Sequence, residues 1–173
     1  MQSIELVPDD VTAGRIRGQW AALERAGLPS QSRHTGASNR PHVTLALTDT
    51  VSGDVESGLL GALAGLPMPV TVGGLLLFGS SRYVLARSAI PSAELLIMQA
   101  TVTASLPDGL DPHRTFGPGR WTPHVTLARR LTAQQVALAL AALGDVPAIS
   151  GELVRARLWD ITAKRERWLD PVG

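Results

Sequence analysis

Pro41-His42-Val43-Thr44-Leu45-Ala46 recurs unchanged as Pro123-His124-Val125-Thr126-Leu127-Ala128, 124 − 42 = 82 residues later. Val, Thr and Leu suit a pleated strand, in which successive side chains point to opposite faces. Strict alternation puts His42, Thr44 and Ala46 on one face and Val43, Leu45 and Leu47 on the other. His124, Thr126 and Ala128 repeat the arrangement, with Val125 and Leu127 behind them. Each copy reads as a strand with an apolar back for a core and an imidazole beside a hydroxyl on its front.

The repeat extends outward from these strands. Gly27 ends a helical pattern 15 residues before His42, and Gly109, in Asp108-Gly109-Leu110, stands 15 residues before His124. Downstream, residues 63–67 (LAGLP) parallel 143–147 (LGDVP). A helix, a loop, a His-Thr strand, a second helix and a further strand thus occur twice. The patterns predict a strand over 3–7 and a helix over 11–26 with Ile16, Trp20 and Leu23 inward. The first motif strand runs to Thr48 and is followed by a helix over 54–64. Strands over 70–78 and 82–86 turn at Gly79-Ser80-Ser81, and Pro91 opens an amphipathic helix to Leu106. A Gly- and Pro-rich loop over 107–120 leads into the second motif; a helix over 133–143, capped by Thr132, and a hairpin of 153–161 with 166–169 complete the chain. The reading is one bilobal domain over 1–173, its motif-bearing halves roughly 1–88 and 89–173, related by a pseudo-twofold axis.

Composition narrows the function classes. A 45% hydrophobic content in 173 residues supplies a sizeable core. The absence of cysteine excludes disulfides, thiolate metal sites and a Cys nucleophile, and suits a reducing cytoplasm. The first residues lack the pattern of a signal peptide and no apolar run reaches membrane-spanning length, so a soluble cytoplasmic protein is expected, and a monomer is the expected state. A net charge of +1 does not demand a nucleic-acid partner. Fifteen of the 16 basic residues are Arg, with Lys164 alone. Arg forks suit phosphate, although codon bias in a GC-rich genome gives the same count.

Two imidazoles facing one cleft can divide acid and base work near neutral pH. Two Thr hydroxyls, each two residues further on, can donate to the non-bridging oxygens of a phosphate held between them. That set fits in-line cleavage of a phosphoester by positioning and charge stabilisation. The paired motifs resemble the 2H phosphoesterase superfamily, defined by two His-x-Thr/Ser motifs. Residues 121–129 (WTPHVTLAR) are especially similar to its 2′-5′ RNA ligase branch, also described as RNA 2′,3′-cyclic phosphodiesterases.

The resemblance implies an α/β (α+β) fold of two lobes, with antiparallel sheets lining a central cleft and helices outside. It implies opening of a 2′,3′-cyclic phosphate to a 2′-phosphomonoester, with reversible 2′-5′ ligation in some members and no metal or cofactor. RNA or oligonucleotide ends, or small nucleotide cyclic phosphates, are the expected partners. His42 and His124 would be acid and base, and Thr44 and Thr126 the phosphate ligands. Arg129 matches an Arg common after the second motif, whereas alternation puts Arg130 on the His124 face. The first motif continues as Leu47-Thr48-Asp49-Thr50, where the branch usually has an aromatic-Leu-Gly continuation.

Other residues carry weaker signals. Neither motif supplies the HxH, HExxH or neighbouring carboxylate of a zinc site. Trp121, three residues before His124, has two readings, a base-stacking ring at the cleft rim or a core plug. Phe116 and Tyr83 are fainter versions of the first. Trp20 is assigned to the core, His34 and His113 to solvated loops, and Arg155, Arg157, Arg165 and Arg167 to a solvated hairpin face.

Overall fold

A computed structural model describes residues 1–49, 51, 53–106, 116, 117 and 119–169. Asp108-Gly109-Leu110, His113, Thr50 and most of the loop over 107–120 lie outside the described residues. The elements run β1 (Gln2–Pro8), α1 (Asp10–Arg25), β2 (Val43–Thr48), α2 (Gly53–Ala62), β3 (Met68–Phe78), β4 (Tyr83–Ala89), α3 (Ala93–Ala104), β5 (His124–Leu131), α4 (Ala133–Leu143), β6 (Ile149–Asp160) and β7 (Arg165–Trp168). That is βαβαβ twice, followed by one short strand.

Local chemistry starts and stops the helices where the sequence pattern placed them, within a few residues. Asp9 caps α1 by accepting from the Thr12 backbone N–H at 2.8 Å, and Gly27 follows the helix at φ 71°, a conformation that glycine adopts without steric cost. Thr132 and Gln135 form a reciprocal capping box at the start of α4. Ile16, Trp20 and Leu23 are buried along one face of α1, which packs on α4, β5 and β6.

The seven strands form one antiparallel sheet, six of them in the order β2-β1-β6-β3-β4-β5 and β7 paired with β6 off that path. Read against the repeat, that order is a palindrome: β2 matches β5, β1 matches β4, and β6 pairs with its own counterpart β3. Each repeat therefore gives its last strand to the other half, and the two half-sheets join through the β3–β6 pairing. β3 bonds Ile149–Leu153 of β6, while β7 bonds Arg157–Asp160 further along the same edge. The core lies behind the sheet, with Ile4, Leu6, Leu45, Leu85 and Leu127 at most 1% exposed. Among the described residues, no helix is long and apolar enough to cross a membrane.

The two motif strands sit at the two ends of the sheet, which rolls until β2 and β5 approach within 8 Å, Cα to Cα. Both break register directly after the motif threonine. Glu5 faces Thr44 and Ile4 faces Ala46, while Ala86 faces Thr126 and Leu85 faces Ala128. Leu45 and Leu127 are thus the extra residues of two matching bulges, devices that bend a strand and re-aim its side chains. The bulge corrects the strict alternation read from sequence: beyond it Ala46 and Thr48 are buried, while Leu47, expected on the apolar face, is half-buried.

Candidate active site

His42 immediately precedes β2 and His124 opens β5. Each ring nitrogen Nδ1 donates to the carbonyl two residues back, His42 to Arg40 at 2.9 Å and His124 to Thr122 at 2.8 Å. A carbonyl only accepts, so both Nδ1 atoms carry the proton and both Nε2 atoms are left for chemistry. The repeat thus extends to tautomer and ring orientation. The structure brings the two rings into one electrostatic environment, since the charge of His42 acts on His124.

Cross-braces fix this convergence. The indole of Trp121 donates to the carbonyl of Thr44 at 2.9 Å, and that of Trp20 donates to the carbonyl of Thr126 at 3.0 Å. Both carbonyls sit on edge strands at the bulges, where no neighbouring strand would satisfy them. Gln99 of α3 adds a bond to the carbonyl of Leu45 and another to that of Phe116. Helix α1 thereby holds the second motif and α3 holds the first, each helix bracing the opposite repeat. Of the two readings of Trp121, its observed contacts are structural: the ring is half-buried against the core and its N–H is committed to Thr44.

The surroundings of the two imidazoles differ sharply. Glu5 on β1 places Oε1 3.7 Å from His42 Nε2. This carboxylate is only 3% exposed and is held by the Ser3 hydroxyl at 2.6 Å and by two Arg157 nitrogens, Nε at 2.9 Å and the terminal nitrogen at 2.8 Å. The residue facing the second motif at the matching position is Ala86, so lobe one has a carboxylate where lobe two has a methyl. His124 instead lies against Phe78, ring centroids 4.7 Å apart at 48°. Burial pushes its pKa below the usual 6.5; the Thr122 carbonyl opposes that, and the positive charges of Arg129 and His42 add to it.

Arg129 is thus near enough for its charge to act on His124. The strand bulges again at this point, Tyr83 facing Leu131 and Leu85 facing Ala128, with Arg130 at φ 61°. That extra residue breaks the alternation that had favoured Arg130. Both arginines are exposed, Thr44 is half-buried and Thr126 is 7% exposed.

The remaining assignments divide. Trp20 is core, at 3% exposure. His34 is exposed, and Tyr83 packs on the core. Arg157 corrects the expectation of a solvated hairpin face: it is 3% exposed and bridges Glu5 to Glu166, whose Oε2 lies 2.7 Å away. Sequence reasoning missed Glu5 and Phe78. The signal for Glu5 was a carboxylate inside an apolar strand, two residues from Ser3, on the face shared with the motif.

Residues 10–165 match the family model of the 2′-5′ RNA ligase superfamily. A sequence search of curated proteins finds no match. Among solved structures, Escherichia coli LigT complexed with 3′-AMP is similar at TM-score 0.56 and 17% identity, covering 99% of this chain and 94% of that one. Kluyveromyces marxianus Usb1 is similar at TM-score 0.51 and 15% identity, covering 98% and 97%. A structure described as a phosphoesterase gives TM-score 0.52 and 20% identity, covering 99% and 94%.

Proposed function

From its membership of the 2′-5′ RNA ligase superfamily, to which this chain belongs, we propose that the protein is a phosphoesterase that opens 2′,3′-cyclic phosphate ends of RNA. The observation that carries the reading is the matched pair of imidazoles, both held at Nδ1 by a backbone carbonyl so that proton transfer falls to Nε2, on strands that meet. Nucleotide complexes among the similar structures support it: one is LigT complexed with 3′-AMP and another is Usb1 with uridine monophosphate.

In this reading the phosphate lies between the rings. His124, whose protonated form is disfavoured by burial and by Arg129, takes a proton from water through Nε2. The oxygen attacks phosphorus in line, the bond from phosphorus to the 3′-oxygen breaks, and His42 Nε2 gives its proton to that oxygen. The product is a 2′-phosphate. The nearby Glu5 carboxylate supplies a counter-ion for the His42 imidazolium. Thr44, Thr126 and Arg129 donate to the non-bridging oxygens as charge builds there. With a 5′-hydroxyl in place of water, His124 takes its proton, the oxygen attacks the cyclic phosphorus, and the bond to the 3′-oxygen breaks with the His42 proton, which gives a 2′-5′ phosphodiester.

His42→Ala and His124→Ala should each lower kcat by at least about a hundredfold, the ordinary contribution of one acid or base, with circular dichroism unchanged and turnover surviving EDTA. Full activity in either variant would remove the two-histidine mechanism. The overall charge of only +1 favours a second reading, a small nucleotide cyclic phosphate as substrate, which a panel of mononucleotide and oligonucleotide substrates separates from the first.

A further inference from the structure

The row that runs inward from each motif threonine differs between the two halves. Thr44 pairs with Glu5 and Glu5 with Arg157, whereas Thr126 pairs with Ala86 and Ala86 with Leu76. Directly paired residues share a sheet face, so the first motif stands on a charged wall and the second on an apolar one. The charged wall ends on β7, the strand that the repeat does not account for. There Glu166 divides its carboxylate, Oε1 to Arg40 at 2.8 Å and Oε2 to Arg157 at 2.7 Å. Both arginines reach the surroundings of His42. Arg157 holds Oε2 of Glu5, which leaves Oε1 to the Ser3 hydroxyl and to Nε2 of His42. Arg40 supplies the carbonyl that holds Nδ1.

We propose that Glu166 is a positioning residue that commits His42 to the acid role. This rests on the function proposed above and explains how two identical motifs are told apart. The Glu5 carboxylate stands 3.7 Å from Nε2. That is near enough for a counter-ion and beyond hydrogen-bond length, so the Nε2 proton stays available to the leaving 3′-oxygen. Without Glu166, Arg157 has Glu5 as its one remaining carboxylate and neutralises it more fully, while the Arg40 side chain loses its carboxylate anchor. The first change weakens the support at Nε2, the second at Nδ1. On the other side of the site the matching positions hold Ala86 and Leu76, and Phe78 lies on the His124 ring. An apolar setting of that kind keeps an imidazole neutral and suited to the base.

The test uses two substrates of one shape, a nucleoside 2′,3′-cyclic phosphate and its analogue with sulfur as the 3′-bridging atom. With oxygen, the bond from phosphorus to the 3′-oxygen breaks and the His42 proton goes to that oxygen. With sulfur, the bond from phosphorus to sulfur breaks and a thiolate leaves without needing a proton, since thiols ionise at about pH 8.5. Values of kcat/KM for both are compared in the wild type, His42→Ala and Glu166→Gln. His42→Ala should lose at least about a hundredfold on the oxygen substrate and far less on the sulfur one. Glu166→Gln should lose about tenfold on oxygen, within the range of coupling inside one ion-pair network, and keep its rate on sulfur. Arg157 retains Glu5 in that variant, so no buried charge is left unpaired. Each pair of rates comes from one preparation, so loss of folded protein cancels in the ratio. An oxygen-to-sulfur ratio unaltered in Glu166→Gln, or no rescue of His42→Ala by sulfur, would overturn the proposal while the phosphoesterase reading stands on the turnover itself. No turnover of either substrate by the wild type would overturn that reading instead. The positioning role is then judged by nitrogen NMR of the neutral His42 ring: a proton fixed on Nδ1 in the wild type and shared between tautomers in Glu166→Gln supports it, and identical spectra overturn it.

Discussion

Replacing Arg157 by Met isolates the buried charge cluster beneath His42. Arg157 makes four polar contacts from a site 3% exposed: two to Glu5 Oε2, one to the Ser38 carbonyl at 2.6 Å and one to Glu166 Oε2 at 2.7 Å. The variant strands Glu5, itself 3% exposed, with the Ser3 hydroxyl as its remaining close partner. Breaking a buried pair from one side costs about 3–5 kcal/mol, because the other charge stays desolvated and uncompensated. For a chain of this size each kcal/mol moves the melting temperature by about 2–4 °C, so the variant should melt roughly 6–20 °C lower. Replacing both partners, Glu5→Met with Arg157→Met, removes the stranded charge and should recover most of that loss. Urea denaturation of the four proteins in the cycle yields the coupling energy. An Arg157→Met cost below about 1 kcal/mol, or a double variant no better than the sum of the singles, would refute the account of the cluster.

Two further outcomes follow from the site. Because the folded protein holds His124 below 6.5, its neutral form persists to lower pH, and the acidic limb of kcat/KM should lie below pH 6.5. Arg129→Gln should move that limb upward, and an unmoved limb would separate Arg129 from His124. The same depression means that the unfolded chain binds the proton first on acidification. This contribution to stability is therefore complete above pH 6.5 and is lost as pH falls below it. Trp20→Phe and Trp121→Phe each keep a ring but remove the donor to a motif carbonyl, costing about 1–3 kcal/mol by leaving an acceptor unpaired. Denaturation should rank Trp20 as the costlier, since its bond is fully buried and that of Trp121 partly so.

The duplicated hexapeptide carried most of what could be read in advance. It fixed the order of elements, because helix caps and stops are local chemistry written in residues such as Asp9, Gly27 and Thr132. It also singled out the two histidines as candidates, because their spacing from a threonine is visible in any strand. The matching bulges were not legible: no glycine marks Leu45 or Leu127, and a register shift is set by pairing with Glu5 and Ala86 at long range. Trp121 was undecidable for a similar reason, since its partner, the Thr44 carbonyl, is 77 residues away. Glu5 shows the same limit, its role depending on Arg157 at the other end of the chain. The exchange of third strands escaped too, because sequence order suggests that a repeat keeps its own strands.

That exchange has a consequence for how the molecule comes into being. The strand completing the first half is β6, near the end of the chain, so a nascent polypeptide that has made β1, α1 and β2 still lacks the inner neighbour of β1. Neither half can close as a separate folding unit during synthesis. The full sheet that carries the two motif strands assembles only after residues 149–160 have left the ribosome, and severing the chain between the repeats should yield fragments that must reunite to become ordered.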